Sequence, residues 1–195
     1  MLKKRGSRVS MQNEPQGKAC DQTSLESWSV HTVDRFGSPG LHWAASGGHL
    51  DICKALVEIG GANPKQRDKK SGRCALHWAA RQGHLDVAHW LVCSCGLSPD
   101  EITKDGTSAF HLAIWGGHVN VAEWLVDGPF NQSDLESSAI DEGILIKGAD
   151  LHRLNNWDCN AAHFAGLAGM RATAEWLWKR GVDLRNTNKQ GHNAL

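Results

Sequence analysis

From Leu41 onward the chain repeats one short pattern of apolar and polar positions. The clearest copy, Leu76 to Leu91, reads Leu-His-Trp-Ala-Ala-Arg-Gln-Gly-His-Leu-Asp-Val-Ala-His-Trp-Leu. Two apolar segments flank the pair Gly83-His84. The same order runs from Leu41 to Gly48-His49, from Phe110 to Gly117-His118 and, more weakly, from Ala162 to Gly169-Met170. The spacing predicts two short helices per copy. In the first they cover about 41–47 and 50–59, with Ile52, Ala55, Leu56 and Ile59 on one face and Gly60-Gly61 as the stop. The turn Asp34-Arg35-Phe36-Gly37 precedes them. Helices this short do not persist alone in water, so each apolar face must be buried on a neighbouring copy.

The register is regular. His77 follows His42 by 35 positions and His111 follows His77 by 34, but His163 follows His111 by 52, which marks an insertion. A period near 33 built from a turn and two helices points to a helical repeat array. The residues resemble the ankyrin repeat family. They match its Leu-His-x-Ala-Ala-x-x-Gly-His core at Leu41 to His49 and Leu76 to His84, and partly at His111, Ala113, Gly117 and His118. Gly61-Ala62-Asn63 and Gly148-Ala149-Asp150 match its Gly-Ala-Asp. The resemblance covers about 34–195. It implies an all-α, helix-turn-helix solenoid of about four repeats plus a truncated fifth. Units are expected near 34–67, 68–102, 103–150, 155–187 and 188–195, with an acidic loop inserted at 129–147, preceded by an irregular, mobile arm over 1–33. Within that arm, Ser24 to Val33 carries Trp28 and is placed to dock on the first unit. Ile144-Leu145-Ile146 are placed to fold back onto the helices.

Several departures from the family pattern bear on stability. Its Thr-Pro at the start of the first helix is replaced by Pro39-Gly40, Cys74-Ala75, Ser108-Ala109, Asn160-Ala161 and Asn193-Ala194. Only Ser108 keeps the hydroxyl, so the remaining caps should be weaker. The fourth unit has Asp158 for the turn glycine and Met170 for the second histidine, and should be the least regular. The fifth unit stops before its helix, which leaves an apolar end and raises the alternative of a recognition arm of a larger multidomain enzyme.

Composition narrows the possibilities further. The 21 basic and 21 acidic side chains cancel, so general attraction to nucleic acid is not expected. No run of 18 apolar residues would span a membrane. The cysteines at 53, 74, 93 and 159 occupy places where a small apolar residue would serve, which suggests a reduced, intracellular protein of the cytoplasm or nucleus. Met1-Leu2-Lys3-Lys4-Arg5 lacks the apolar stretch of a secretory signal.

Candidate chemistry is sparse. His42, His77 and His111, like His49, His84 and His118, recur once per unit, so equivalent rings stand one repeat apart and do not converge on a metal. The resemblance implies that they hold the turns. Cys93 and Cys95 lack a second pair at zinc-finger spacing. No nucleophile elbow, phosphate loop or His-Glu-x-x-His occurs. We therefore expect no catalytic residue, no cofactor and no metal.

Aromatic residues are read first as packing. Trp90, Trp124 and Trp176 share one place in the second helix, and Trp43, Trp78, Leu112 and Phe164 share the place after the first-helix histidine. Trp115 differs, because it occupies one of the variable places before Gly-His that the family uses to bind protein partners. The resemblance therefore implies a non-catalytic interaction module, a scaffold or adaptor, binding a protein through its concave helix face and turn tips, and monomeric unless its open C-terminal end associates. The residues expected to bind the partner are Arg35, Phe36, Lys70, Arg81, Gln82, Trp115 and Trp157.

Overall fold

The computed structural model describes residues 32–35, 37–128 and 147–194. The arm over 1–31, Phe36, the inserted segment 129–146 and Leu195 lie outside the described residues. Among the described residues eight α-helices form four pairs: α1 (Gly40–Ser46) with α2 (Leu50–Lys54), α3 (Ala75–Gln82) with α4 (Leu85–Cys93), α5 (Ala109–Gly116) with α6 (Val119–Asp127), and α7 (Ala161–Leu167) with α8 (Arg171–Lys179). The second helix of the first pair continues as a π-helical turn over Ala55–Ile59, an irregularity that its periodicity does not announce. First helices pack in the order α1, α3, α5, α7, and second helices pack as α2 on α4 on α6. Pairing among strands is limited, in the described residues, to the isolated bridges Val33–Pro39 and Ile102–Ser108.

The core follows the repeat. Leu41, Leu76, Phe110 and the alanines Ala45, Ala80, Ala113 and Ala165 line the buried sides of the first helices. Val87, Leu91, Val121, Leu125 and Leu177 line those of the second. Trp90 is buried, whereas Trp124 and Trp176 are half-buried and pack against the core from its edge. Leu112 is buried and Trp43 is 62% exposed, so the place after the first-helix histidine is covered in one pair and open in another. Among the described first helices α1 packs on α3 alone, whereas α5 packs on both α3 and α7.

Each pair closes alike. The backbone N–H of Ala62, Leu97, Ala149 and Val182 donates to the carbonyl of Leu56, Leu91, Leu125 and Leu177, at 2.7–3.1 Å. Ala149 thereby packs back against the end of α6. α6 and α8 barely touch; Arg180, lying 4.8 Å over the Trp176 ring, instead bonds Glu123 at 2.9 Å and pairs with Asp127.

Histidines tie each first helix to a neighbouring turn. The N–H of Cys74, Ser108 and Asn160 donates to Nδ1 of His77, His111 and His163 at 3.1–3.2 Å. On the other side of the ring, Nε2 of His42 donates to the Gln66 carbonyl at 3.0 Å and Nε2 of His111 to that of Arg153 at 3.1 Å. The equivalent Glu101 carbonyl faces His77 without completing a bond, so that nitrogen stays unpaired. In the fourth pair Nε2 of His163 meets the His192 carbonyl of the last turn. The second histidines reach backward: Nε2 of His84 donates to the Ser46 carbonyl at 3.0 Å. Glycine leaves room for them. A Cβ at Gly48 or Gly83 would lie 2.4 Å from Nδ1 of His84 or His118, and both backbones have positive φ. Met170 occupies this place over Gly117 and supplies no hydrogen bond.

Caps depart from the sequence expectation in one pair. Besides Ser108, Asn160 is a full cap, its Oδ1 accepting from the N–H of Ala162 and His163 at 3.1 and 3.4 Å. An amide oxygen has the reach of the missing hydroxyl, so losing Thr does not weaken this start. The fourth turn is irregular as expected: Asp158 is the one described non-glycine residue with positive φ.

Pro39 is the weak start. It has neither a capping side chain nor the N–H that its counterparts give to the histidine, and His42 Nδ1 is buried without a partner. Pro39→Ser supplies both groups. It should stabilise the chain by roughly 0.5–1 kcal/mol, after allowing for the backbone freedom that proline withholds from the unfolded state. The urea midpoint should rise; an unchanged or lower midpoint contradicts this account of the orphan nitrogen.

Candidate functional site

The turns before the first helices project as a row of fingers, each knotted by its leading side chain. Asp34 Oδ1 accepts from the Ser38 N–H at 2.9 Å. Asp68 accepts from the N–H of Ser71, Gly72 and Arg73 and from the Ser71 hydroxyl. Burial alone would raise Asp68's pKa, but these bonds together outweigh burial and hold it below the usual carboxylate value. Asn155 and Asn188 do the same work without charge, accepting from Trp157 and Cys159, and from Gln190 and His192. The fingers are joined backbone to backbone: Lys104 N–H to Ser71 O, Asn156 N–H to Asp105 O, and Lys189 N–H to Trp157 O, at 2.9–3.0 Å. Their spacing is therefore fixed by the same stack that fixes the helices.

The face between the fingers and the first helices, called the groove below, holds at the first two pairs a cavity of about 330 Å³ lined by Asp34, Ser38, Trp43, Asp68, Lys70, Ser71, Arg73 and Trp78. Arg73 lies 5.5 Å over the Trp78 ring. Arg73 Nε and Trp78 Nε1 are both buried without a hydrogen-bond partner, an arrangement that costs about 1–3 kcal/mol per orphaned group. Burial first, then the like charge of Arg81, lowers the Arg73 pKa against the pull of Asp68 and Asp105. Further along, Arg81 stands 4.3 Å over the Trp115 ring, Trp115 lies 6.4 Å from Phe164, and Phe164 lies 5.0 Å from His111.

The residues expected to bind a partner are thus distributed unevenly. Arg81 and Trp115 are brought together as a cation–π pair, both half-buried, with Gln82 exposed beside Arg81. Lys70 lines the cavity at the other end of the groove. Arg35 is exposed on the first finger, and Trp157 is 51% exposed on the fourth, its backbone engaged by the fifth turn. Phe36 lies outside the described residues. Sequence reasoning singled out Arg73 with Lys70 and Lys104 as basic tips for an acidic partner but missed Trp43 and Trp78 as groove residues. The available signal was an aromatic side chain in three of the four places that follow the first-helix histidine.

Burial, the largest cause at each, raises the thiols of Cys53, Cys74 and Cys95 to about 11, so they stay protonated near neutral pH. Among the described residues no three His, Cys, Asp or Glu side chains gather as a metal site. No described helix is long and apolar enough to cross a membrane.

A family model for ankyrin repeats, three copies long, matches residues 12–103 and 41–139, together about two thirds of the chain. No curated protein matches the chain.

Burial, followed by the charges of Arg67 and Arg73, pushes His77 down to about 3; burial pushes His111 down to about 4 against the bond from its ring to Arg153. In the unfolded chain both titrate near 6.5. Between those values the unfolded chain binds protons that the folded chain refuses. The stabilising effect is therefore whole above about pH 6.5 and is lost as pH falls towards 4. Moving from pH 7 to pH 5 should cost roughly 2 kcal/mol per histidine. Urea titrations across this range should show the decline; a pH-independent midpoint contradicts it.

Proposed function

Because the chain belongs to the ankyrin repeat family, whose members generally serve as protein–protein interaction modules, we propose that it is a non-catalytic scaffold or adaptor that holds a protein partner in the groove between its fingers and first helices. Residues 34–195 act in this reading as one array. The observation that carries it is the aromatic and arginine lining: exposed Trp43, then Trp78 under Arg73, then Trp115 under Arg81. Trp and Arg dominate the binding energy of protein interfaces, because they combine large apolar area with a polar or charged edge. Rigidity supports the same reading. Helices and fingers are hydrogen-bonded from pair to pair, so these side chains are presented at fixed spacing and lose little further freedom when a partner docks. Arg35 and Lys70 on the finger tips, with Phe36 between them in sequence, Gln82 beside Arg81, and Trp157 on the fourth finger extend the surface. The partner is a protein, and the array is monomeric.

Replacing Arg81 and Trp115 together by alanine should weaken a partner captured by the intact chain by more than about tenfold, equivalent to roughly 1.4 kcal/mol. Circular dichroism should keep its helical signature. Trp178→Ala, at a 66% exposed tryptophan on α8 outside the groove, serves as the control and should leave affinity unchanged. If the folded double variant binds as the parent does, the groove is the wrong surface.

A further inference from the structure

The acids and bases along this groove are used differently. The acids turn inward. Asp68 is taken up by three backbone N–H groups and a hydroxyl, Asp105 by the hydroxyls of Thr103 and Thr107, and Asp34 accepts from the Ser38 backbone. Four other arginines are neutralised: Arg67 by Glu101, Arg153 by Asp100, Arg171 by Glu175, and Arg180 by Glu123 and Asp127. Arg73 and Arg81 differ from these. Each lies on a tryptophan ring, and neither guanidinium pairs with a carboxylate among the described residues. Arg73 stands just before α3 and Arg81 in its last turn. Beside them lies the cavity between Trp43 and Trp78, with Lys70 on its rim.

Resting on the groove reading above, we infer that this end of the groove selects a partner segment in which a carboxylate neighbours a bulky apolar side chain, the carboxylate on Arg73 and the apolar group against Trp43 and Trp78, which line the same cavity. Arg73 feels the pull of Asp68 and Asp105 but pairs with neither, so a partner carboxylate gives its guanidinium the pairing that its own chain does not. The flat guanidinium suits bidentate pairing with it. The tryptophan faces supply the apolar area, one of them already turned to solvent. A single carboxylate fits better than a nucleic acid strand. The groove wall carries Asp34 and Asp68, which oppose a run of phosphates, and the whole chain has a formal net charge of +0.

The test uses the full chain and fluorescein-labelled random peptide pools whose central dipeptide is fixed as Leu-Glu, Leu-Gln or Leu-Lys, with a labelled oligothymidine alongside. Anisotropy should show the Leu-Glu pool binding about tenfold more tightly than the Leu-Gln pool, a preference that added salt reduces. Arg73→Gln should erase the preference, so that the variant binds the Leu-Glu and Leu-Gln pools alike, and Trp43→Ala, at an exposed site, should weaken both pools with the fold retained by circular dichroism. Leu-Glu and Leu-Gln pools that bind equally, both weakened by Trp43→Ala, overturn the acidic preference and leave the groove reading standing. Peptide binding that ignores both substitutions overturns the groove reading itself. Binding of oligothymidine alone, or of no probe, overturns the inference.

Discussion

The structure depends on a buried, neutral imidazole with work on both sides. Nδ1 of His111 accepts the N–H that opens its own helix, and Nε2 donates to a carbonyl of the next turn. One side chain thus fixes where a helix begins and where the adjoining finger lies. A protonated ring has no lone pair for the first bond, and a buried charge is costly, so the device works only while the ring is uncharged. The second histidines act in the opposite direction. His84 crosses Gly48 to reach the Ser46 carbonyl, so each pair is held from both neighbours. Helices of seven to nine residues persist because each is bracketed in this way.

The same lattice of bonds turns a row of loops into a surface. Finger carboxylates are taken up by backbone amides, while Arg73 and Arg81 lie on tryptophan rings. Among the described residues four buried side-chain nitrogens lack a partner: His42 Nδ1 and His77 Nε2 on the histidine rings, and Arg73 Nε and Trp78 Nε1 beside the cavity. The last turns show the limit of the scheme. Met170 and Asp158 replace a hydrogen-bonding histidine and a glycine, and Arg180 bridges second helices that barely touch.

Much of the fold was legible because its signals are periodic. The Leu-His-x-Ala-Ala and Gly-His registers located the helix pairs, and the jump from His111 to His163 located the inserted segment. What escaped was set by neighbours. Asn160 was readable as a cap only by allowing an amide to stand in for a hydroxyl, and the π turn at Ala55–Ile59 has no sequence mark. Trp43, Trp78, Leu112 and Phe164 share one place in the repeat, yet one is largely exposed, one is buried and two are half-buried, because the adjoining pair covers each differently. Arg81 and Trp115 were singled out as variable positions. Their stacking on each other depends on the spacing between pairs, which no single repeat contains.

The most direct measurement is the nitrogen-15 spectrum of the histidine rings in the folded chain near pH 6. The account predicts that His77 and His111 are neutral there, with the proton on Nε2 and a bare, hydrogen-bonded Nδ1. Imidazolium signals, or protons on Nδ1, at these two residues would contradict it.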